Sequence, residues 1–409
     1  MTSRRIRQVR LETLQRRVLA AVRPVGTESI LIERSRGRIL AETIRATAPS
    51  PAMDKSVMDG FAVRHADLTD AAANHPVSLR IDGTIPAGHS RSRPVSRGTA
   101  VRIMTGAPLP PKADCVVKVE DTSEADGMVR FTKPATRRQN VLRRGTNMRK
   151  GQIILRSGTT IAPAHMAMLA FLDQRRVTVY RRPKVGILTT GDELGEVGRR
   201  HPAGHVPDSN RYGLIGLIES TGCEPVDGGR CADLPEQLER ALGSLARRCG
   251  FIVSTGGVSA GDYDVVKILF RQKGGVDLFR LPMKPGKPQA FGHVRGTPFF
   301  GLPGNPVSCM VVFDVVIRPA LRKLAGSRET SPVGWPAVAA ADFSRKSRQW
   351  EFPRVRAAEQ DGQWSVWPVR SQRSSDLTSM TDADGYVILT PSSAAPKTGD
   401  TVRFVPFVV

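Results

Sequence analysis

The sequence predicts a multidomain α/β plus β chain. A doubly wound α/β domain stands at its centre. Around it lie a helical to mixed N-terminal part, a small β-insertion and a C-terminal β domain. Three observations carry this. The 409 residues exceed one ordinary domain of about 100–200 residues. Between 183 and 326, short apolar runs alternate with helix patterns, as parallel strands with crossover helices do. On either side, residues 46–135 and 330–409 break into short β-type runs separated by Gly and Pro turns.

Residues 1–45 read as helical. Ile6, Val9, Leu11, Leu14, Val18, Leu19 and Val22 recur near helical spacing, and a second pattern runs over 30–40 before Pro49 and Pro51 break it. Strands are expected at 77–81, 99–104, 114–120 and 128–132. Residues 164–171 favour a helix. In the central part, strands are expected at 185–188, 251–254 and 299–302, with helices at 211–220 and 307–321. Turns at Asp361-Gly362, Asp384-Gly385 and Thr398-Gly399 punctuate the last β domain, whose Trp335, Trp350, Trp364 and Trp367 read as core. The resulting division is 1–45 with 136–182, then 46–135, 183–328 and 329–409.

Composition narrows the function classes. Lys plus Arg number 61 and Asp plus Glu 38, a net charge of +23, which points to an anionic partner: nucleic acid, an acidic membrane face or a phosphorylated small molecule. Forty per cent hydrophobic residues exclude a wholly disordered chain. Five cysteines without a CxxC pair argue against a disulfide framework or a zinc site, and fit a reducing, cytoplasmic setting. No apolar stretch approaches the ~18 residues of a membrane span. The basic N-terminus lacks an apolar h-region and is not a secretory signal. Glu12 and the continuation into residues 18–22 favour an ordinary first helix over a transit peptide.

Three runs in the α/β part each end in a Gly-containing loop: TTGDEL at 189–194, STGGVSAGDYD at 254–264 and GLPGNPVS at 301–308. In an open parallel sheet, ligands bind beyond the carboxyl ends of the strands. Glycines there let backbone amides approach an anion. One such loop is a tight turn; three together favour a phosphate or nucleotide site. None is a Walker A or a dinucleotide fingerprint, which disfavours an ordinary ATPase or dehydrogenase. In MKPGKP at 283–288, Lys284 and Lys287 flank a Pro-Gly turn, an arrangement that suits a polyanion. In AMDKSVMDGFAVR at 52–64, Asp54 and Asp59 sit beside Met53, Met58 and Phe61. They read equally as metal-facing or catalytic groups and as N-caps. Thr105-Gly106 reads either as a phosphate contact or as a turn. Residues 133–156 hold eight basic side chains and no acidic one. That is a solvated face, an anion-steering surface or a nucleic-acid contact. Absent aromatics argue against single-strand binding.

Taken in order, DKSVMDGFAVR, RIMTGAPLP, ILTTGDEL, DSNR, STGGVSAGDYD, MKPGKP and LPGNPVS resemble the molybdopterin molybdenumtransferase family, of the bacterial MoeA type and the gephyrin E domain. The likeness runs from about residue 5 to the C-terminus and is loosest in the last domain. It implies an elongated four-part homodimer whose α/β domain is of the molybdopterin-binding type and whose last domain is barrel-like. It implies hydrolysis of adenylylated molybdopterin with release of AMP, insertion of molybdate at the dithiolene, and assistance by Mg2+.

By the same resemblance, Asp59, Glu193, Asp233 and Asp264 are carboxylates needed for activity, with Asp59 and Asp264 handling the metal. Such carboxylates hold a hard cation and position water. Lys284 and Lys287 hold the terminal phosphate and the incoming oxyanion. Thr105, Gly256, Gly257, Ser259, Pro303, Pro306 and Ser308 line the substrate, with Ser308 capping its helix. Arg354 and Ser374 bind molybdate. Asp59 and Thr105 are expected to act on the site of the partner subunit. Three positions depart from the family pattern: Lys55 stands for Asn, Asn147 for Asp and Arg280 for Lys. The implied partners are the molybdopterin adenylyltransferase and apo-molybdoenzymes or their chaperones, with no membrane and no specific nucleic acid. The alternatives are a non-catalytic molybdopterin-binding or scaffolding paralogue, against which the retained carboxylates and lysines argue, and the adenylyltransferase reaction, which needs only the α/β domain.

Overall fold

The computed structural model describes residues 7–88, 93–258, 264–345 and 347–407. The chain divides into two compact units, Met1–Glu42 with Ser157–Val409, and Thr43–Arg156.

The first unit opens with the helix Leu11–Ala20, which buries Leu11, Leu14 and Val18 along one face. The helix expected over 30–40 is absent. Thr27–Leu31 is a strand instead, followed by the single turn Ile32–Arg34. It pairs antiparallel with Arg176–Tyr180, placing Ile30 opposite Val177. The partner lies far along the chain, and tertiary pairing overrides the local helix-like spacing.

The central sheet has seven strands, in the order Arg7–Gln8, Val276–Arg280, Pro288–Val294, Thr297–Leu302, Phe251–Thr255, Lys184–Thr190 and Glu224–Cys231. The last four are mutually parallel, as expected. Pro288–Val294 runs antiparallel to both neighbours, so the sheet is mixed. The cause is local. Arg295 and Gly296 both have positive φ (50° and 84°) and form a two-residue hairpin turn. Helices lie on both faces. One apolar core joins Leu214 and Ile218 of Ser209–Glu219 to Leu11 and Val307; the other joins Leu238 and Leu242 of Pro235–Ala246 to Val265 and Leu269 of Val265–Lys273. The helix expected at 307–321 is Pro306–Val312, a π-turn Phe313–Ile317 and Arg318–Leu324.

The C-terminal strands Trp335–Ala339, Gln363–Pro368, Arg354–Gln360, Gly385–Val387 and Thr401–Pro406 close a barrel. Val355, Val366, Val387 and Phe404 fill it. The tryptophans are not its core. Trp335 is exposed and the other three are half-buried. Trp364 is partly buried against that core and stacks on Trp335, centroids 5.6 Å apart.

The second unit contains a six-stranded sheet, in the order Cys115–Lys118, Gly60–Val63, Thr99–Ile103, Val77–Ile85, Met128–Phe131 and Thr122–Ala125. The strands expected at 77–81, 99–104, 114–120 and 128–132 are all present. Gly60 is obligatory: a Cβ there would stand 2.0 Å from the Val117 carbonyl oxygen. All eight basic side chains of 133–156 are exposed, and among the described residues only Arg137 has an ion-pair partner, Asp114 at 3.7 Å.

Candidate active site

The three Gly-containing loops emerge side by side. Thr255 stands in register with Leu302 on one side and Thr189 on the other. Gly256 (φ 94°) has no room for a side chain, since a Cβ would lie 2.2 Å from the Thr190 carbonyl oxygen. Gly257 also has positive φ (65°). Ser259 lies outside the described residues. Polar side chains tie the loops together. The Thr189 hydroxyl donates to Asp208 Oδ2 at 2.6 Å, and Asn210 Nδ2 donates to Thr255 Oγ1 at 3.0 Å and to the Gly304 carbonyl at 2.7 Å. The Thr255 hydroxyl donates to the Pro303 carbonyl at 3.0 Å. Among the described residues, Thr190 Oγ1, Asn210 Oδ1, Asp233 Oδ1 and Ser254 Oγ are buried without a hydrogen-bond partner. Native interiors satisfy nearly all such atoms, so these four are open to a bond from a ligand or from water.

Carboxylates gather beside these loops. Asp192 Oδ1 accepts the Asp233 backbone N–H at 3.2 Å. Burial, then the charge of Asp192, and less strongly those of Glu193 and Asp264, hold the Asp233 carboxyl above the usual range. Asp264 precedes the helix Val265–Lys273 at its cap position, without a side-chain capping bond. Among the described residues no three His, Cys, Asp or Glu side chains form a group that could hold a metal ion. The donors are nevertheless all hard oxygens. Mg2+ is ordinarily held by one or two carboxylates together with substrate phosphates, so this set fits that ion.

Lys284 and Lys287 are both exposed and, among the described residues, free of ion pairs. Their backbone is fixed. The Leu281 N–H donates to the Lys287 carbonyl at 2.9 Å, and Gln289 Nε2 donates to the Gly286 carbonyl at 2.8 Å. Gly286 (φ 100°) packs where a Cβ would meet Val312 Cγ2 at 2.2 Å.

Pro303 is buried, and Pro306 opens the helix Pro306–Val312. Ser308 does not cap that helix. It is a buried residue inside it, because Pro306, lacking an N–H, takes the first helical position and leaves Asn305 at the cap. Asn305 Nδ2 donates to Ser374 Oγ at 3.2 Å, and the Val307 N–H donates to the Ser374 carbonyl at 3.2 Å. Ser374 therefore meets the PGNP loop directly. Arg354 lies deeper and is 1% exposed. Its guanidinium donates to Ser379 Oγ at 3.0 Å and to the Ser371 and Arg373 carbonyls at 3.1 and 3.4 Å, and burial lowers its pKa to about 10. It holds in place the loop that carries Ser374.

Asp59 and Thr105 belong to the second unit. Asp59 Oδ1 accepts the Thr105 backbone N–H at 2.6 Å and its hydroxyl at 2.8 Å. These bonds, the backbone one foremost, hold its carboxyl below the usual range. Asp54 plays a different part: its Oδ1 accepts the Arg144 N–H at 2.8 Å and pins a neighbouring loop. Of the apolar residues expected beside them, Met53 and Met58 are exposed (43% and 44%), whereas Phe61 is fully buried in the core of the sheet. Lys55 pairs in a short ladder with Leu142, and the Asn147 N–H donates to the Ser50 carbonyl.

Sequence reasoning missed Asp192, Asn210 and Asn305. Asp192 was visible beside Glu193 in TTGDEL, and Asn210 within DSNR. Nothing in the sequence marked Asn305 as the contact to Ser374.

Family models cover nearly the whole chain. The MoeA N-terminal region (domain I and II) matches residues 9–172, a probable molybdopterin binding domain matches 186–323, and the MoeA C-terminal region (domain IV) matches 336–407. The molybdopterin molybdenumtransferase of Haemophilus influenzae is 33% identical over 387 residues, covering 94% of this chain and 95% of that protein. The Bacillus subtilis protein of the same name is 32% identical, covering 95% and 91%. The crystal structure of a molybdopterin biosynthesis MoeA protein from Pyrococcus horikosii superposes with a TM-score of 0.84 at 30% identity, over 98% of this chain and 100% of that one.

Proposed function

We propose a mechanism from one premise: the chain belongs to the molybdopterin molybdenumtransferase family. It binds adenylylated molybdopterin, hydrolyses the phosphoanhydride with release of AMP, and inserts molybdate into the dithiolene. The observation that supports this best is the convergence of three Gly-containing strand ends, a set of coupled carboxylates and two unpaired lysines on one unit. Polyanion cleavage needs donors and cations for the phosphates and carboxylates for water and metal.

In this reading the backbone at Gly256 and Gly257 approaches the pyrophosphate. Lys284 and Lys287 neutralise the terminal phosphate and the incoming oxyanion. Ser374, seated on Asn305, completes the molybdate contact, and Arg354 holds its loop. Glu193 and Asp264, with Asp233 behind them, orient the attacking water. Asp264, with Asp59 of the partner subunit, would hold Mg2+, which would supply charge neutralisation to the phosphates. The protein works as a homodimer in which Asp59 and Thr105 serve the partner's site. Its four parts are those divided at 45/136–182, 135 and 328. Five free, buried cysteines support a cytoplasmic setting.

The test is to mix the purified protein with adenylylated molybdopterin, magnesium and molybdate and follow AMP. Wild type should release AMP, and Asp264→Ala should bind the nucleotide without cleaving it. Binding without cleavage by wild type would instead indicate the scaffolding paralogue.

A further inference from the structure

Asn210 stands among the site's elements without an assigned task. It lies in the first turn of the helix Ser209–Glu219, whose cap, Asp208, is fixed to the sheet through the Thr189 hydroxyl. From there its amide nitrogen reaches two different loops. One bond goes to Thr255 Oγ1, at the end of the strand Phe251–Thr255. The other goes to the carbonyl of Gly304, in the loop after Thr297–Leu302. Thr255 passes the link on, donating to the Pro303 carbonyl. A single amide group thus spans the gap between the STGG and PGNP loops.

The side chain makes these bonds at the expense of its own acceptor. Asn210 Oδ1 is buried and, among the described residues, has no hydrogen-bond partner. Leaving a buried carbonyl unsatisfied destabilises a fold. A residue serving stability alone would be replaced or turned so that both ends were paired. Asn210 is only half-buried.

We propose that Asn210 is a positioning residue: it sets the separation of the STGG and PGNP loops, and so the placement of the phosphoanhydride between them. The inference rests on the transferase reading given above. Misplacing a reacting group by about 1 Å costs roughly 100-fold in rate, so a strut between two phosphate-facing loops acts on turnover more than on affinity.

The test uses the full-length protein with Asn210→Ala, Thr255→Val and Thr255→Ser. Two readouts separate the strut from the reaction. The first is amide hydrogen exchange at 254–258 and 302–306, where the Gly256 N–H donates across the gap to the Leu302 carbonyl at 3.2 Å. Exchange should quicken in both loops in Asn210→Ala and Thr255→Val. The second is AMP release. Turnover should fall roughly 10- to 100-fold in both variants, while affinity for adenylylated molybdopterin stays within a few-fold and the melting temperature hardly moves. Thr255→Ser, which keeps the hydroxyl, should recover most of what Thr255→Val loses. Unchanged exchange in Asn210→Ala, or turnover within twofold of wild type, overturns the strut. A loss that simply tracks a lowered melting temperature overturns it as well. A wild-type protein that binds but releases no AMP defeats the transferase reading, and the exchange data still decide the strut.

Discussion

Thr105 donates both its backbone N–H and its hydroxyl to one oxygen of Asp59, at 2.6 and 2.8 Å. Two residues singled out from separate motifs thus form one unit, a carboxylate held ionised and aimed by its neighbour.

The first prediction concerns that pair. Both bonds favour the charged carboxylate and hold the Asp59 pKa low. Thr105→Val removes the hydroxyl bond and keeps the backbone one, so the Asp59 pKa should rise part of the way to its ordinary value. The acid limb of the pH profile for AMP release should move to higher pH. An unmoved limb would mean that ionised Asp59 is not required.

Asp233 gives a prediction of opposite sign. Burial and the Asp192 charge hold its pKa up, so the folded chain binds a proton there that the unfolded chain has lost. This coupling weakens the fold as pH rises from the unfolded value toward the folded one. Asp192→Asn keeps the acceptor for the Asp233 N–H and deletes the charge. Its melting temperature should exceed wild type at pH 7, and the gain should vanish below the ordinary Asp pKa of about 3.9. An equal gain at both pH values would assign the effect to something other than this coupling.

A third prediction tests what anchors the C-terminal barrel to the α/β domain. Arg318 and Asp314 form an ion pair, both 3% exposed or less, and the Tyr386 hydroxyl donates to Asp314 Oδ2 at 2.9 Å. Asp314→Ala strands a buried guanidinium and should cost about 3–5 kcal/mol. Tyr386→Phe should cost about 1.5–3 kcal/mol, the range for a bond to a charged group. Denaturant unfolding measures both.

The fourth addresses the proposed homodimer. If Asp59 serves the partner's site, Asp59→Ala and Asp264→Ala are each inactive alone but complement when unfolded together and refolded. Random pairing leaves roughly a quarter of the sites intact. No recovered AMP release would place Asp59 and Asp264 in the same subunit's site.

The α/β strands, the three loops and the lysine turn were legible because each is encoded locally: an apolar run, then glycines at positions demanding positive φ or close approach, as at Gly256 and Gly286. What stayed hidden depends on partners distant in sequence. Thr27–Leu31 is a strand because residues 176–180 lie beside it. Ser308 is an exception: it falls inside its helix because Pro306 takes the first helical position and puts Asn305 at the cap, a local shift. Asn305 and Ser374, 69 positions apart, meet only in the fold. The burial of Arg354 is likewise a product of the loop packed over it and of no local pattern.

The central claim is that one chain performs both the cleavage and the metal insertion. The most direct measurement is to count, in one reaction, the AMP released and the molybdenum retained on the dithiolene product. The account predicts one molybdenum gained for each AMP released. Rapid AMP release with no molybdenum gained would contradict it and make the protein a phosphohydrolase.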